Sequence, residues 1–430
     1  MRPSNALSGT ALAGDAQSES GRTLLLRWVG QNFEFPLVSL AAFGVYWLSS
    51  FLLEASHATV LFGSDSPMYA WLGRGNTVDR ITRFHPVTAV MELGWMRILS
   101  PLAAWIDPTY LLKAMFAAVG AVGVWAAMSA FAAVVARRYV ALLGAIYALS
   151  LGVWYFASIE ESKIVSATLT ALYIAAYLRL RQNWTLRGAL VLTAILLVAC
   201  LNEIVAGFLV LIPAVDTLVQ RGWDLRQGRW IVWHALAAPA ALFFLEGVVN
   251  GRLVAPSTDP EGASHFSMLM YYLDDKDLSA WGVYYFLVNW LFFNIAAPTP
   301  NLSYVFPHWP NNKYFDPVLA NYFSSPVSAS LVILFAVMLV ASVLPWSRTE
   351  SSKSSSAILW ALSAYAVVRA IFFFLVYPYE CLLFSSSVTL AHMLIISIPF
   401  VASGFPAKRP LLAAVAVLMF ATNGIFVIRQ

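Results

Sequence analysis

The sequence predicts an all-α polytopic membrane protein, and three observations carry that prediction. Of the 430 residues, 60% are hydrophobic and 11% charged, against roughly 25% charged in an ordinary soluble domain. The mean hydropathy is +0.72. Apolar runs of about 20 residues, the length of a bilayer-spanning helix, recur along most of the chain. These runs are continuous and rich in Leu, Ala and Val, whereas a transmembrane β-barrel alternates in segments of about ten residues. Cys200 and Cys381 stand far apart, in or beside apolar runs, and imply no disulfide framework. A net charge of +4 reports membrane topology in such a chain and not nucleic-acid binding.

Residues 1–36 read as a cytoplasmic tail and surface helix. Residues 1–21 are small and polar, with no cleavable signal peptide expected, and Leu24 to Val29 opens an amphipathic stretch suited to the membrane surface. Window hydropathy then gives about eleven spans, at residues 37–57, 111–136, 139–157, 162–180, 187–201, 203–219, 229–249, 326–346, 357–377, 381–403 and 410–428. An N-terminal membrane module (37–249) carries a first outer loop (58–110). An outer loop (250–325) follows, and C-terminal membrane helices (326–430) close the chain. No internal repeat or soluble second domain is visible.

Orientation follows from charge. The short turns at Arg137-Arg138, Arg179 to Arg187, Arg221 to Arg229, Arg348 to Lys353 and Lys408-Arg409 are basic. They fall on one side only if the apolar segment 278–297 does not cross, so this segment is read as interfacial or re-entrant and the basic turns as cytoplasmic. The opposite side collects Asp65, Asp79, Glu92, Asp107, Glu160, Glu161, Asp259, Glu261, Asp274, Asp275, Asp277, Asp316 and Glu380. Within the first outer loop, Val87 to Trp105 suits a helix lying along the interface, anchored by Trp95 and Trp105. The second half of the late loop, from Pro298 to Pro317, is dense in Pro, Asn and aromatics and reads as an ordered lid.

Five constellations can carry chemistry on that outer side. Gly63-Ser64-Asp65-Ser66-Pro67-Met68-Tyr69, followed by Phe84-His85-Pro86, places a carboxylate at the mouth of the first span. Such an aspartate can act as general base or metal ligand; Asp65 or Ser64 can equally be the N-cap of a helix with Pro67 near its start. Ser158-Ile159-Glu160-Glu161-Ser162-Lys163 sets two carboxylates beside an ammonium, a pattern suited to a divalent cation with phosphate or to capping of the next span. Asn202-Glu203 lies in a turn between two short spans, where a carboxylate sunk below the surface needs a partner; the plain alternative is a helix turn. Arg369 lies inside a span, as a phosphate clamp or as a snorkelling side chain; the next outer turn contains Tyr377, Tyr379 and Glu380. His265 and His308 sit one in each half of the late loop, as substrate contacts or as structural histidines.

Asp65-Ser66-Pro67-Met68-Tyr69 with Phe84-His85-Pro86 resembles the first outer loop of GT-C class membrane glycosyltransferases, the superfamily of protein mannosyltransferases and aminoarabinose transferases. An acidic residue after the first span and a His-Pro opening a juxtamembrane helix are features of that class, as are short basic turns and a long late outer loop. The resemblance covers roughly residues 37–220 in motif and topology. It departs in having Ser66 where a second acid often stands, and in lacking a clear soluble C-terminal domain.

The resemblance implies an inverting glycosyltransferase with a polyprenyl-phosphate sugar donor. Its active site would lie on the outer face of a bacterial inner membrane, and its acceptor would be a lipid, glycan or protein. Asp65 would be the base. Tyr69, Arg80, Arg83, His85, Lys163, Glu203, His265, His308, Arg369, Tyr379 and Glu380 would bind donor or acceptor. Glu160 and Glu161 would hold a divalent cation, Mg or Mn. The competing reading is a transporter or flippase of a lipid-linked or small polar substrate, which predicts broken spans meeting near the middle of the bilayer.

Overall fold

The computed structural model describes residues 33–55, 66–73, 76, 79–181, 185–222, 231–253, 264–265, 267, 278–296, 304–305, 313–314, 322–343, 353–376 and 381–429. In chain order its helices are α1 (Glu34–Ala55), α2 (Ser66–Gly73), α3 (Asp79–Phe84), α4 (Pro86–Leu99), α5 (Pro108–Val134), α6 (Val140–Leu149), α7 (Leu151–Ala157), α8 (Ser162–Leu180) and α9 (Leu186–Asn202). They continue with α10 (Ile204–Gln220), α11 (Ile231–Leu253), α12 (Ala280–Phe293), α13 (Pro326–Val343), α14 (Lys353–Val376), α15 (Leu383–Ala402) and α16 (Lys408–Arg429). Two short strands, β1 (Tyr304–Val305) and β2 (Lys313–Tyr314), pair antiparallel in the late loop.

Among the described residues, eight helices are long and apolar enough to cross a membrane: α1, α5, α8, α11, α13, α14, α15 and α16. The bent pair α6–α7 makes a ninth if counted as one span. The eleven segments expected from hydropathy therefore comprise eight full-length helices, one broken one and the short helices α9 and α10. With 17 residues, α9 is about 25 Å long at 1.5 Å per residue, less than the roughly 30 Å hydrocarbon thickness. Hydropathy registers its apolarity, but the helix stops early at Asn202-Glu203. Segment α12 is likewise too short to meet the spanning criterion.

The centre of the bundle is α5, which packs on α1, α6 and α8. Its start is set by Asp107, whose carboxylate accepts the Thr109 N–H at 2.8 Å ahead of Pro108 at the first helical position. Helix association in lipid gains little from the hydrophobic effect and relies on close backbone approach through small residues. Gly123 supplies such a contact: a β-carbon there would lie 2.7 Å from Thr168 Oγ1 of α8.

The break between α6 and α7 turns the chain by 62° at Ser150. A broken helix inside a membrane must find other partners for its freed backbone groups. Here the end of α12 provides them: the Asn294 carbonyl accepts from Gly152 N–H at 2.8 Å, and the Ile295 carbonyl from Leu151 N–H at 3.1 Å. Asn423 of α16 completes the junction, its amide donating to the Leu149 and Ile295 carbonyls at 2.6 and 3.0 Å.

Helix α4 covers Pro86–Leu99, within the stretch expected to lie along the interface. Its polar Thr88 and Glu92 face inward, while Val90 and Ile98 are exposed; the following turn, Ser100–Ala104, continues to an exposed Trp105. Polar groups inside and apolar ones outside is the pattern of a helix whose outer face meets lipid. Trp95 is not a free anchor: its indole N–H donates to the Leu111 carbonyl at 2.8 Å and ties α4 to α5. Of the expected lid, the described residues are the β1–β2 ladder and the approach from Tyr322. The tail and the stretch Leu24 to Val29 lie outside them.

Candidate functional site

The polar groups of the outer side meet in one place because four turns converge there. Helix α4 begins at His85, α8 begins after Glu161, α9 ends at Asn202, and the entry to α15 passes Ser387. Asn202 is the hub. Its side-chain oxygen accepts from the Thr88 N–H at 3.1 Å and the Thr88 hydroxyl at 2.7 Å, and its amide donates to Ser166 Oγ at 3.0 Å. Its backbone carbonyl lies 2.7 Å from His85 Nδ1. A carbonyl only accepts, so Nδ1 carries the hydrogen and Nε2 the lone pair. Burial of the ring and the nearby Lys163 ammonium push the His85 pKa down to about 3, against the opposing Asn202 carbonyl. The ring is therefore neutral at physiological pH.

Next to this hub, Glu203 faces two cations. Burial raises its pKa, but Lys163 and Arg369, with the Ser166 hydroxyl, outweigh the burial and hold the carboxyl below its ordinary range. Arg369, 1% exposed, approaches Glu203 Oε1 at 3.5 Å and donates to Ser387 Oγ at 2.6 Å. Its guanidinium also lies over the Phe373 ring, and its buried Nε has no hydrogen-bond partner among the described residues. Lys163 sits 4.1 Å above the Phe384 ring. Two buried cations thus share one loosely held carboxylate, with an unused N–H on the guanidinium that lies over Phe373. Such an arrangement binds an anion with several oxygens.

The acidic pair behaves differently from its expected role. Glu161 is the N-cap of α8, its Oε1 accepting from Ser162 N–H at 2.9 Å and Ser162 Oγ at 3.1 Å. Glu160 and Glu161 face a third acid, Glu92 of α4, which is fully buried with neither carboxyl oxygen hydrogen-bonded among the described residues. Burial first, then the two neighbouring carboxylates, raise the Glu92 pKa to about 9. Among the described residues no group of three or more His, Cys, Asp or Glu is set to hold a metal ion. A cap and its neighbour alone do not make up the six or more oxygen ligands of a hard divalent cation.

The structure therefore brings together His85, Lys163, Glu203 and Arg369, with Glu160 and Glu161 alongside. Arg83, buried, and His265 join from the flank: each acts electrostatically on a histidine of the group. Tyr69 is not brought to the polar groups. It is fully buried in an apolar cluster with Leu72, Ile81 and Ala89, edge-on to Phe116. Asp65, His308, Tyr379 and Glu380 lie outside the described residues, as does the side chain of Arg80.

Sequence reasoning did not assign Glu92, Glu246 or Ser387 to the site. Glu92 had a signal, a charge interrupting an apolar stretch; Ser387, one of three consecutive serines, had none. No family model, curated protein or solved structure matches the chain.

Proposed function

We propose that this chain is a GT-C type membrane glycosyltransferase, moving a sugar from a polyprenyl-phosphate donor to a hydroxyl of a lipid, glycan or protein acceptor. The observation that carries this reading is the pair of buried cations, Arg369 and Lys163, at the end of the bundle where α4 turns an apolar face outward. A membrane-borne substrate with an anionic head and a greasy tail needs both features within reach of each other.

In this reading the phosphate lies against the Arg369 guanidinium, Lys163 and the Ser387 hydroxyl, and the tail runs beside α4. The acceptor oxygen forms its bond to the anomeric carbon from the face opposite the phosphate. The carbon–oxygen bond to phosphate breaks, and the departing oxygens gain negative charge that the two cations offset. The acceptor proton passes to Asp65, which precedes α2 by one residue. Attack opposite the leaving group inverts the anomeric centre. The cluster faces the side away from the basic turns, the periplasmic side in a bacterial inner membrane.

A second reading, a transporter, is favoured by one observation: α6–α7 is a broken span with α12 docked at the break. Purified protein in proteoliposomes separates the two. With polyprenyl-phosphate sugars supplied on the outer face, Asp65→Asn is expected to lower transfer by about a hundredfold or more in folded protein. Flux of lipid-linked sugar across the bilayer without transfer to any acceptor would instead establish the transporter.

A further inference from the structure

The late outer loop reaches the first one through a carboxylate and an imidazole. Glu246, in the π-helical last part of α11, is held by Asn250, whose amide donates to Oε2 at 2.9 Å. Its Oε1 accepts twice from His265, from the backbone N–H at 2.8 Å and from Nδ1 at 2.7 Å. A carboxylate oxygen facing a ring nitrogen across 2.7 Å fixes the tautomer: Nδ1 carries the hydrogen and Nε2 the lone pair. Among the described residues Nε2 has no hydrogen-bond partner, and the ring is only 8% exposed. The edge-to-face contact with Phe84, centroids 4.9 Å apart, locks its orientation. Burial, with Arg83 adding, lowers the ring's pKa against the pull of Glu246. With Nδ1 committed to Glu246, Nε2 is the ring's acceptor position. The charged and titratable groups acting on it are Glu246, Arg83 and, from the start of α4, His85.

The site thus has two chemically distinct flanks. Arg369 and Lys163 form a cationic one around Glu203; across His85 lies an oriented imidazole with a lone pair to offer. A phosphate suits the first, whereas the ring of the second offers an acceptor that suits a hydroxyl.

We infer that Glu246 and His265 form the hydroxyl-binding flank of the site, Nε2 of His265 accepting the hydrogen of a sugar or lipid hydroxyl while Glu246 positions the ring. The inference rests on the transfer reaction proposed above and adds no proton transfer to it.

The test uses the full chain in nanodiscs, with diethyl pyrocarbonate as histidine probe and peptide mass spectrometry as readout. Near neutral pH His265 is expected to be modified faster than His234 by about tenfold, the protection given by hydrogen bonds that must first open; both nitrogens of His234 are engaged, by Tyr173 and Thr193. In Glu246→Gln the pH of half-maximal modification is expected to fall, because the carboxylate no longer favours the protonated ring. Undecaprenyl phosphate is then added and its thermal stabilisation of the protein measured. The stabilisation is expected to survive in His265→Asn and to vanish in Arg369→Ala. Modification of His265 no faster than His234, or an unmoved midpoint in Glu246→Gln, overturns the pair. Loss of the phosphate stabilisation in His265→Asn moves the residue to the phosphate flank and overturns its hydroxyl assignment. If undecaprenyl phosphate fails to stabilise even the wild type, the transfer reading falls, an outcome distinct from the labelling result.

Discussion

A carboxyl group with neither oxygen partnered stays inside a folded protein by keeping its proton, and Glu92 is in that position. Its folded-state pKa, about 9, stands well above the unfolded value near 4.5. Between those values the folded chain holds a proton that the unfolded chain releases, so stability falls as pH rises across that window. The slope approaches about 1.4 kcal/mol per pH unit. Below the window both states are protonated and the penalty is absent. Glu92→Gln keeps the shape of the neutral acid and has no proton to lose. The variant is therefore expected to match wild type near pH 4.5 and to become progressively more stable than it toward pH 9, as measured by unfolding in detergent. A constant difference between the two proteins across that range would show that Glu92 is ionised in the fold. The same reasoning explains why sequence reading gave this residue no role: an isolated acid in an apolar stretch looks like surface relief, and only the approach of Glu160 and Glu161 from 70 residues away reveals otherwise.

At the scale of elements, the junction of α6, α7, α12 and α16 shows how a broken span is kept intact. Three backbone groups at the break, the Leu151 and Gly152 N–H groups and the Leu149 carbonyl, are taken up by carbonyls at the end of α12 and by the Asn423 amide. The approach is close enough that a β-carbon on Gly152 would overlap Asn294 Oδ1. Asn294 cannot withdraw freely, since Thr389 donates to that same oxygen at 3.0 Å and the Asn294 amide donates to the Ser385 carbonyl at 3.2 Å. Alanine fits the helical backbone, so the effect of Gly152→Ala is steric alone. It is expected to cost about 1–3 kcal/mol, the usual range for overpacking, read as a lowered unfolding midpoint. Wild-type stability in that variant would show that α12 does not dock at the break. Among the described residues hydropathy located the apolar helices and the stop of α9 at Asn202-Glu203 but not this bend, because apolarity along a run says nothing about where its hydrogen-bond ladder is interrupted. The polar constellations were legible for the opposite reason: charges such as Lys163 and Arg369 are costly within apolar sequence, and Glu203 and His85 were marked by their places beside span ends.

At the scale of the molecule the two ends of the bundle differ in how they handle charge. One gathers mixed charge into buried contacts at the turns before α4, after Glu161 and at Asn202. The other pairs its cations one to one with acids: Arg137 with Glu34 at 2.8 Å near the surface, and Arg181 with Asp216 at 2.6 Å in a buried bridge. Translocating a Lys- or Arg-rich turn across a bilayer is disfavoured, and each such charge at a helix centre costs about 2.5–3.5 kcal/mol on insertion scales. The proposed orientation follows from that cost: the basic turns stay in the cytoplasm and the polar cluster lies on the far side. Single cysteines report the direction. With Cys381 replaced by Ser, the fully buried Cys200 leaves little background. Ala104 after α4 and Arg138 before α6 are both exposed, at opposite ends. In spheroplasts of a bacterial host, a membrane-impermeant maleimide is expected to label Ala104→Cys at once and Arg138→Cys only after the membrane is opened. The reverse pattern would place the cation pair in the cytoplasm. There nucleotide sugars are at hand, and a donor delivered by lateral diffusion in the outer leaflet could not reach Arg369.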